Sequence, residues 1–191
     1  MPPERHRKLL KRWEGDGDVR YLTISCYRRQ HLFASAAIRD AYVTHLTSCL
    51  DSPSGDGIRL IAWVVMPNHV HLLIQPDTDV TLTPTLRRLN GGFSKQALHR
   101  WRELGDAGAK VLAKITDNRG RPRFWQHGGG YDHNVKSERA LSEIIDYIHE
   151  NPVQRGLCDL PREWRWSSAR WYDECDAVRG SYVGPMIQHP D

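Results

Sequence analysis

Trp63-Val64-Val65-Met66-Pro67-Asn68-His69-Val70-His71-Leu72-Leu73-Ile74 is the stretch on which the fold turns. In an extended chain residues i and i+2 share a face, so the imidazoles of His69 and His71 point one way while Val70, Leu72 and Ile74 point the other. Pro67-Asn68 divides the run into two strands, Ile58 to Met66 and His69 to Gln75. Proline cannot take a positive φ, which excludes a tight primed hairpin turn starting there and predicts a looser connection. Two parallel imidazoles are half of a metal site, or simply two histidines on the solvent face of a half-buried strand, and the strand by itself does not choose.

Working outward, Val19 to Tyr27 reads as a strand, and Ser35 caps a helix carrying Ile38, Ala41, Tyr42, Leu46, Cys49 and Leu50 at helical spacing. Another helix opens at Thr83 with Pro84 in its first turn and the apolar stripe Leu82, Leu86, Leu89, Phe93, Ala97. Gly91-Gly92 inside it predicts a kink or a close backbone approach. Gly105 to Pro122 is polar and glycine-containing, and reads as a mobile connection with one helical turn at Ala109 to Ile115. Arg123-Phe124-Trp125-Gln126 reads as the last short strand, followed by Gly128-Gly129-Gly130. The order β, α, β, β, α, β predicts an α+β fold, a ferredoxin-like antiparallel sheet with helices on one face. Residues 1–18 form a basic arm and 172–191 a tail, leaving 19–171 as one domain.

With 191 residues, seven Trp and seven Tyr, the chain has enough apolar surface for a core of its own. Cys26, Cys49, Cys158 and Cys175 form no Cys-x-x-Cys pair, which argues against a zinc knuckle or a disulfide framework and for a reduced, cytoplasmic setting. No apolar stretch approaches the roughly 20 residues of a membrane span, and the charged N-terminus leads into no apolar signal core, so a soluble, unexported protein is expected. A net charge of +4 points only weakly to a polyanionic partner, because 23 acidic residues accompany 27 basic ones. The clustering says more: Arg5, Arg7, Lys8, Lys11 and Arg12 on the arm, Arg28-Arg29 after the first strand, and Arg87-Arg88 are the candidate phosphate contacts. Among the tryptophans, Trp63 and Trp125 suit a core, and Trp13 suits an exposed place beside the arm.

Ser137 to Asn151 reads as an amphipathic helix stopped by Pro152, with the stripe Ala140, Leu141, Ile144, Ile145, Ile148. Tyr147 lies at the border of that stripe, and Asn151 follows one turn later on the same side, so both polar tips reach a shared place. By helix position alone Tyr147 is an ordinary amphipathic tyrosine.

The run from Trp63 to Leu73, then Phe124-Trp125-Gln126, Asp132-His133, Asp146-Tyr147-Ile148 with Asn151-Pro152-Val153, Gly156-Leu157, and Trp166-Ser167-Ser168, resembles the single-tyrosine HUH transposases, and among them the REP-associated tyrosine transposases. The resemblance covers residues 19–171, in order. The glycine run at 128–130 departs from the family's usual pattern between Trp-Gln and Asp-His. The resemblance implies that His69 and His71 are metal ligands, that Asn151 is the third ligand, and that Tyr147 is the nucleophile. It also makes His133 the best accessory candidate among the remaining histidines, ahead of His127 and of His149, which falls on the helix face away from the apolar stripe. The implied activity is a metal-dependent transesterification of single-stranded DNA through a 5′-phosphotyrosine, acting at hairpin-forming repeats, with Mg or Mn as the cation. The implied partner is single-stranded or hairpin DNA, with a monomer favoured over a homodimer. A silent DNA-binding module, or a metal-dependent phosphoesterase using water, are the rival readings of the same residues.

Overall fold

The computed structural model describes residues 17–50, 57–128 and 130–174. Its centre is a four-stranded antiparallel sheet in the order β2-β3-β1-β4, from β1 (Val19–Ser25), β2 (Ile58–Met66), β3 (His69–Pro76) and β4 (Tyr131–Val135). The two central strands, β1 and β3, are where a half-polar strand is most surprising, and β3 is the one that carries the two histidines.

The connection between β2 and β3 is Pro67-Asn68 alone, with Met66 paired to His69. It is therefore as short as hairpin connections come, not loose as expected, although neither residue takes a positive φ. The splay that an unprimed turn produces is absorbed by neighbours: the Pro67 carbonyl accepts from the Phe33 amide at 3.0 Å and the Asn68 carbonyl from the Cys26 amide at 2.9 Å. A bulge at Ile61 shifts the register of β2 between Leu60 and Ala62. One extra residue reverses which face the following side chains take, so Leu60, Trp63 and Val65 join one core while Ala62, Val64 and Met66 join the other.

Both faces of the sheet are covered, against the expectation of helices on one face. Leu22, Val70, Leu72 and Ile74 pack under α1 (Ala36–Leu50), α2 (Leu82–Leu86) and α3 (Gly92–Glu103), around an aromatic cluster of Phe33, Tyr42, Phe93 and Phe124. On the opposite face Tyr21, Val64, Leu73 and Val135 pack against α5 (Glu138–Gln154) through Ile148, flanked by Leu141, Ile144 and Ile145. Between α2 and α3 the chain makes a π-helical turn, Arg87–Gly91, at the place where the two glycines predict a kink.

Three further expectations are corrected. Gly105 to Ile115 is a helix of three turns, α4, not a mobile connection. Its glycines serve packing: Gly105 at φ 56 turns the chain back from α3, and a Cβ on Gly108 would overlap the Trp101 carbonyl. Arg123–Gln126 is not a strand; Trp125 makes one isolated bridge to Cys26, Phe124 is fully buried, and the edge strand lies beyond the glycines at Tyr131–Val135. Lastly, Pro152 sits inside α5 rather than ending it. Its missing N–H costs one helical bond, but Asn151 and Pro152 are both buried against the sheet, the Pro152 carbonyl accepts from the Leu157 amide at 2.9 Å, and the stop is Gly156 at φ 64. Ser137 is the N-cap, its hydroxyl accepting from the Ala140 amide.

After α5 the chain returns along the outer edge of β2. The Val65 amide donates to the Trp166 carbonyl, the Ser168 amide to the Trp63 carbonyl, and the Trp164 indole to the Val65 carbonyl. The segment ends in α6 (Ala169–Glu174).

Candidate active site

Alternation along β3 puts His69 and His71 on the α5 face, beside Thr23 and Tyr21 of β1. Both are buried, and their Nε2 atoms stand 3.0 Å apart. The Nδ1 atoms are held from behind. His69 Nδ1 lies 2.6 Å from Asn68 Oδ1, a contact that requires the proton on Nδ1 and leaves the Nε2 lone pair facing its neighbour. His71 Nδ1 lies 2.8 Å from the Tyr21 hydroxyl and 2.9 Å from that of Thr23. The amide nitrogen of Asn151, on α5, is 3.5 Å from His71 Nε2; turning the amide over presents its oxygen to the same point.

The electrostatics favour uncharged rings. Burial pushes His69 down to about 4, helped by the charges of Arg155 and Arg29, and pushes His71 down to about 3, helped by His69 and Arg155. Neutral imidazole is the form that ligates a cation. Among the described residues no cluster of three His, Cys, Asp or Glu is present, and the α5 group beside this pair is the Asn151 amide.

Tyr147 stands over the pair. It is nearly half exposed, at 46 %, with its ring edge-on to His71 at 5.6 Å and to Tyr21 at 6.3 Å. A cleft of about 520 Å³ runs past it, lined by Tyr21, Thr23, His69, His71, Tyr131, His133, Tyr147, Arg29 and Arg155. His133 is thus in the cleft, opposite Tyr21 in register and stacked on Tyr131 with ring centres 5.9 Å apart.

Two cations face this cleft. Arg28 and Arg29 both adopt left-handed backbone, φ 51 and 53, a conformation that costs a residue bearing a Cβ about 1–2 kcal/mol. The strained turn sends Arg29 into the cleft and leaves Arg28 stacked over the Tyr27 ring at 5.0 Å. Arg155, just past the end of α5, escapes sequence reasoning because Pro152 reads as the end of the helix; its distance from Tyr147, two helical turns, is the available signal. Arg87 and Arg88 are not brought here. They lie on the helix layer of the opposite face, and Arg88 donates to the Cys49 carbonyl at the end of α1, at 2.8 Å. Arg5, Arg7, Lys8, Lys11 and Arg12 lie outside the described residues. His127 is exposed away from the cleft. His149 is buried rather than turned away from packing: its Nε2 is 2.8 Å from the Ser168 hydroxyl, which in turn accepts from the Trp63 amide, tying α5 to the edge of β2.

The glycine run also finds its reason. A Cβ on Gly130 would overlap the Thr23 carbonyl, and Gly128 has φ 99, so the chain can enter β4 this close to β1 only with glycines there.

A family model, that of IS200-like transposases, matches residues 18–151, which include both histidines, Tyr147 and Asn151. The chain belongs to the IS200-like transposase family. A Haemophilus influenzae protein assigned as a REP-associated tyrosine transposase is 24% identical over 153 residues, 80% of each chain. A solved REP-associated tyrosine transposase bound to a REP hairpin shares the fold, with a TM-score of 0.58 and 22% identity over 95% of this chain and 90% of that one. Membership in this transposase family implies DNA cleavage and transfer as the activity class. No helix among the described residues is long and apolar enough to cross a membrane.

Proposed function

We propose that this IS200-like transposase cuts and rejoins single-stranded DNA by transesterification, with Tyr147 as nucleophile on a ferredoxin-like sheet. The observation that carries the reading is the convergence of two neutral Nε2 atoms and the Asn151 amide beneath a half-exposed tyrosine, in a cleft with two arginines. This donor set fits a divalent cation, Mn more readily than Mg by its nitrogen content, with His69, His71 and Asn151 as the holders. When bound, the cation supplies charge to polarise the scissile phosphate.

The chain's own residues do the rest. Arg29 and Arg155 bring a phosphodiester into the cleft and offset its charge. The Tyr147 oxygen forms a bond to phosphorus as the bond from phosphorus to the 3′-oxygen breaks. The phenol loses its proton and the departing 3′-oxygen gains one, so no water is consumed. The products are a 5′-phosphotyrosine and a free 3′-hydroxyl, and the reverse attack by a 3′-hydroxyl rejoins a strand. Asn68, Tyr21 and Thr23 fix the orientation of the two imidazoles. The relative seen with a REP hairpin supports hairpin-forming repeats as the substrate class, and charge alone proposes the arm residues Arg5, Arg7, Lys8, Lys11 and Arg12 as further phosphate contacts. A monomer, which carries Tyr147 and both histidines in one chain, is the proposed working unit.

The test is covalent capture. An oligonucleotide of single-stranded hairpin repeat, incubated with the protein and Mn, is expected to migrate with the protein on a denaturing gel, and Tyr147→Phe is expected to lose the adduct while still binding DNA. Cleavage without any adduct would make water the attacker and overturn the assignment.

A further inference from the structure

The edge strand β4 uses its two faces differently. Antiparallel pairing sets Tyr131, His133 and Val135 opposite Thr23, Tyr21 and Val19, and Val135 packs in the core beneath α5, so all three point to the face that carries His69 and His71. The residues between them point the other way and hold polar partners, Asp132 pairing with Arg20 at 2.8 Å and Asn134 donating to Asp18 at 2.7 Å. Tyr131 and His133 have ring contacts instead. Their rings stack at 26°, with centres 5.9 Å apart, and neither side chain makes a hydrogen bond among the described residues.

Tyr131 is 57 % exposed and lines the cleft beside Tyr147. A ring left in solvent forgoes much of what burial of an aromatic contributes, and an edge strand ordinarily carries charge at such a position. The ring is nevertheless held in place. Tyr21 meets it edge-on at 5.8 Å and 63°, and meets Tyr147 at 6.3 Å and 87°, so one buried side chain touches both tyrosines. Charge identifies the occupant: Arg29 and Arg155 line this cleft, and among the described residues no carboxylate does. Cations that follow phosphates, with an aromatic face beside them for a base, are the parts from which single strands are gripped.

We infer that Tyr131 is a stacking platform for a nucleobase of the strand held in the cleft, with His133 extending the surface beside it. The inference rests on the cleft being a DNA site, and adds how the strand is held there: phosphate on the arginines, base on the tyrosine ring. Every base offers a ring face, so this contact grips the strand without reading its sequence.

The test is a titration of the full chain, in chelator so that nothing is cut, by two twelve-nucleotide strands of equal charge, one of deoxyadenosine and one of abasic deoxyribose phosphate. The unaltered protein is expected to bind the deoxyadenosine strand more tightly. Tyr131→Leu, which keeps an apolar side chain and removes the ring, should weaken that strand about tenfold, the scale of one base stack, and leave the abasic strand unchanged. Tyr131→Phe should bind both as the unaltered protein does, and Arg29→Ala should weaken both by one factor. Equal binding of the two strands by the unaltered protein, or a Tyr131→Leu loss that is the same for both or absent from both, overturns the platform and leaves the cleft a DNA site. A loss in Tyr131→Phe as large as in Tyr131→Leu also overturns it, because the hydroxyl and not the ring would then be the contact. Failure of both strands to bind overturns the DNA reading, and this inference with it.

Discussion

Replacing Tyr21 with Phe removes one oxygen from behind the histidine pair and leaves the ring that packs against Val64, Leu73 and Ile148. The hydroxyl is 2.8 Å from His71 Nδ1, and the Thr23 hydroxyl stands 2.9 Å from the same atom, so either oxygen can accept the Nδ1 proton that keeps the Nε2 lone pair turned toward the site. Losing one of two acceptors costs about 1 kcal/mol of stability, a fall in melting temperature of about 3 °C for a chain of this length. Losing orientation of a ligand costs about 10- to 100-fold in metal affinity, and with Thr23 remaining Tyr21→Phe belongs at the low end. Tyr21→Phe with Thr23→Val belongs at the high end, because the Nδ1 proton is then buried without an acceptor. The double change should exceed the sum of the singles, since the two hydroxyls stand in for one another. The assay is cleavage of a single-stranded oligonucleotide across a Mn titration, alongside calorimetric melting. A loss of stability in all three variants with no change in the Mn needed for half-maximal cleavage would refute the reasoning.

His69→Ala and His71→Ala should each remove cleavage, and Asn151→Ala should reduce it and raise the Mn requirement; undiminished activity in excess chelator sinks the metal assignment. Burial lowers His149 to about 4 from an ordinary value near 6.5, so its neutral form stabilises the fold fully above about pH 6.5, and that share is lost as pH falls toward 4, at about 1.4 kcal/mol per unit. His149→Gln, which keeps a donor toward Ser168, should flatten the decline of melting temperature across that window, and an unaltered slope would assign the decline to other groups. Removing residues 1–12 should weaken binding to all sequences alike and flatten the salt dependence of log K by about 0.7 for each phosphate of a single strand that the arm neutralises; an unchanged slope would make the arm a bystander.

The parts of the fold written in alternation were legible. The face carrying His69 and His71 follows from parity on a strand in which Val70, Leu72 and Ile74 are apolar, and the stripe Ala140, Leu141, Ile144, Ile145 and Ile148 marks the tyrosine helix. What escaped the sequence was set by contacts between distant segments. Tyr131-Asp132-His133-Asn134-Val135 looks like a loop because its inward residues are site residues and its outward ones are polar, Asp132 pairing with the buried Arg20 at 2.8 Å. Gly108 reads as a helix breaker until Trp101 is placed against it. Arg155 and His149 belong to the same failure, since a helix judged to end at Pro152 hides what its last turn and its flank will touch. The roles proposed for His69, His71, Asn151 and Tyr147 came from a resemblance. Spacing alone brought Tyr147 and Asn151 to one side of a helix, and did not say that this side would face β3.

The return of the chain along β2 sets a lower limit on how far this protein can be shortened. Ile58–Met66 is nine residues of nearly unbroken apolar sequence, and the outward backbone groups of Trp63 and Val65 are taken by Trp164, Trp166 and Ser168, with the Ile61 carbonyl taken by the Tyr172 hydroxyl. The family model ends at Asn151, before any of that cover. A chain cut to the matched residues would keep both histidines, the tyrosine and the amide, yet would present a largely apolar strand edge, uncovered from Ala62 to Met66, to every other copy in solution. Such a fragment should accumulate as aggregate rather than as a minimal enzyme, so residues beyond the matched stretch decide whether the protein stays dispersed.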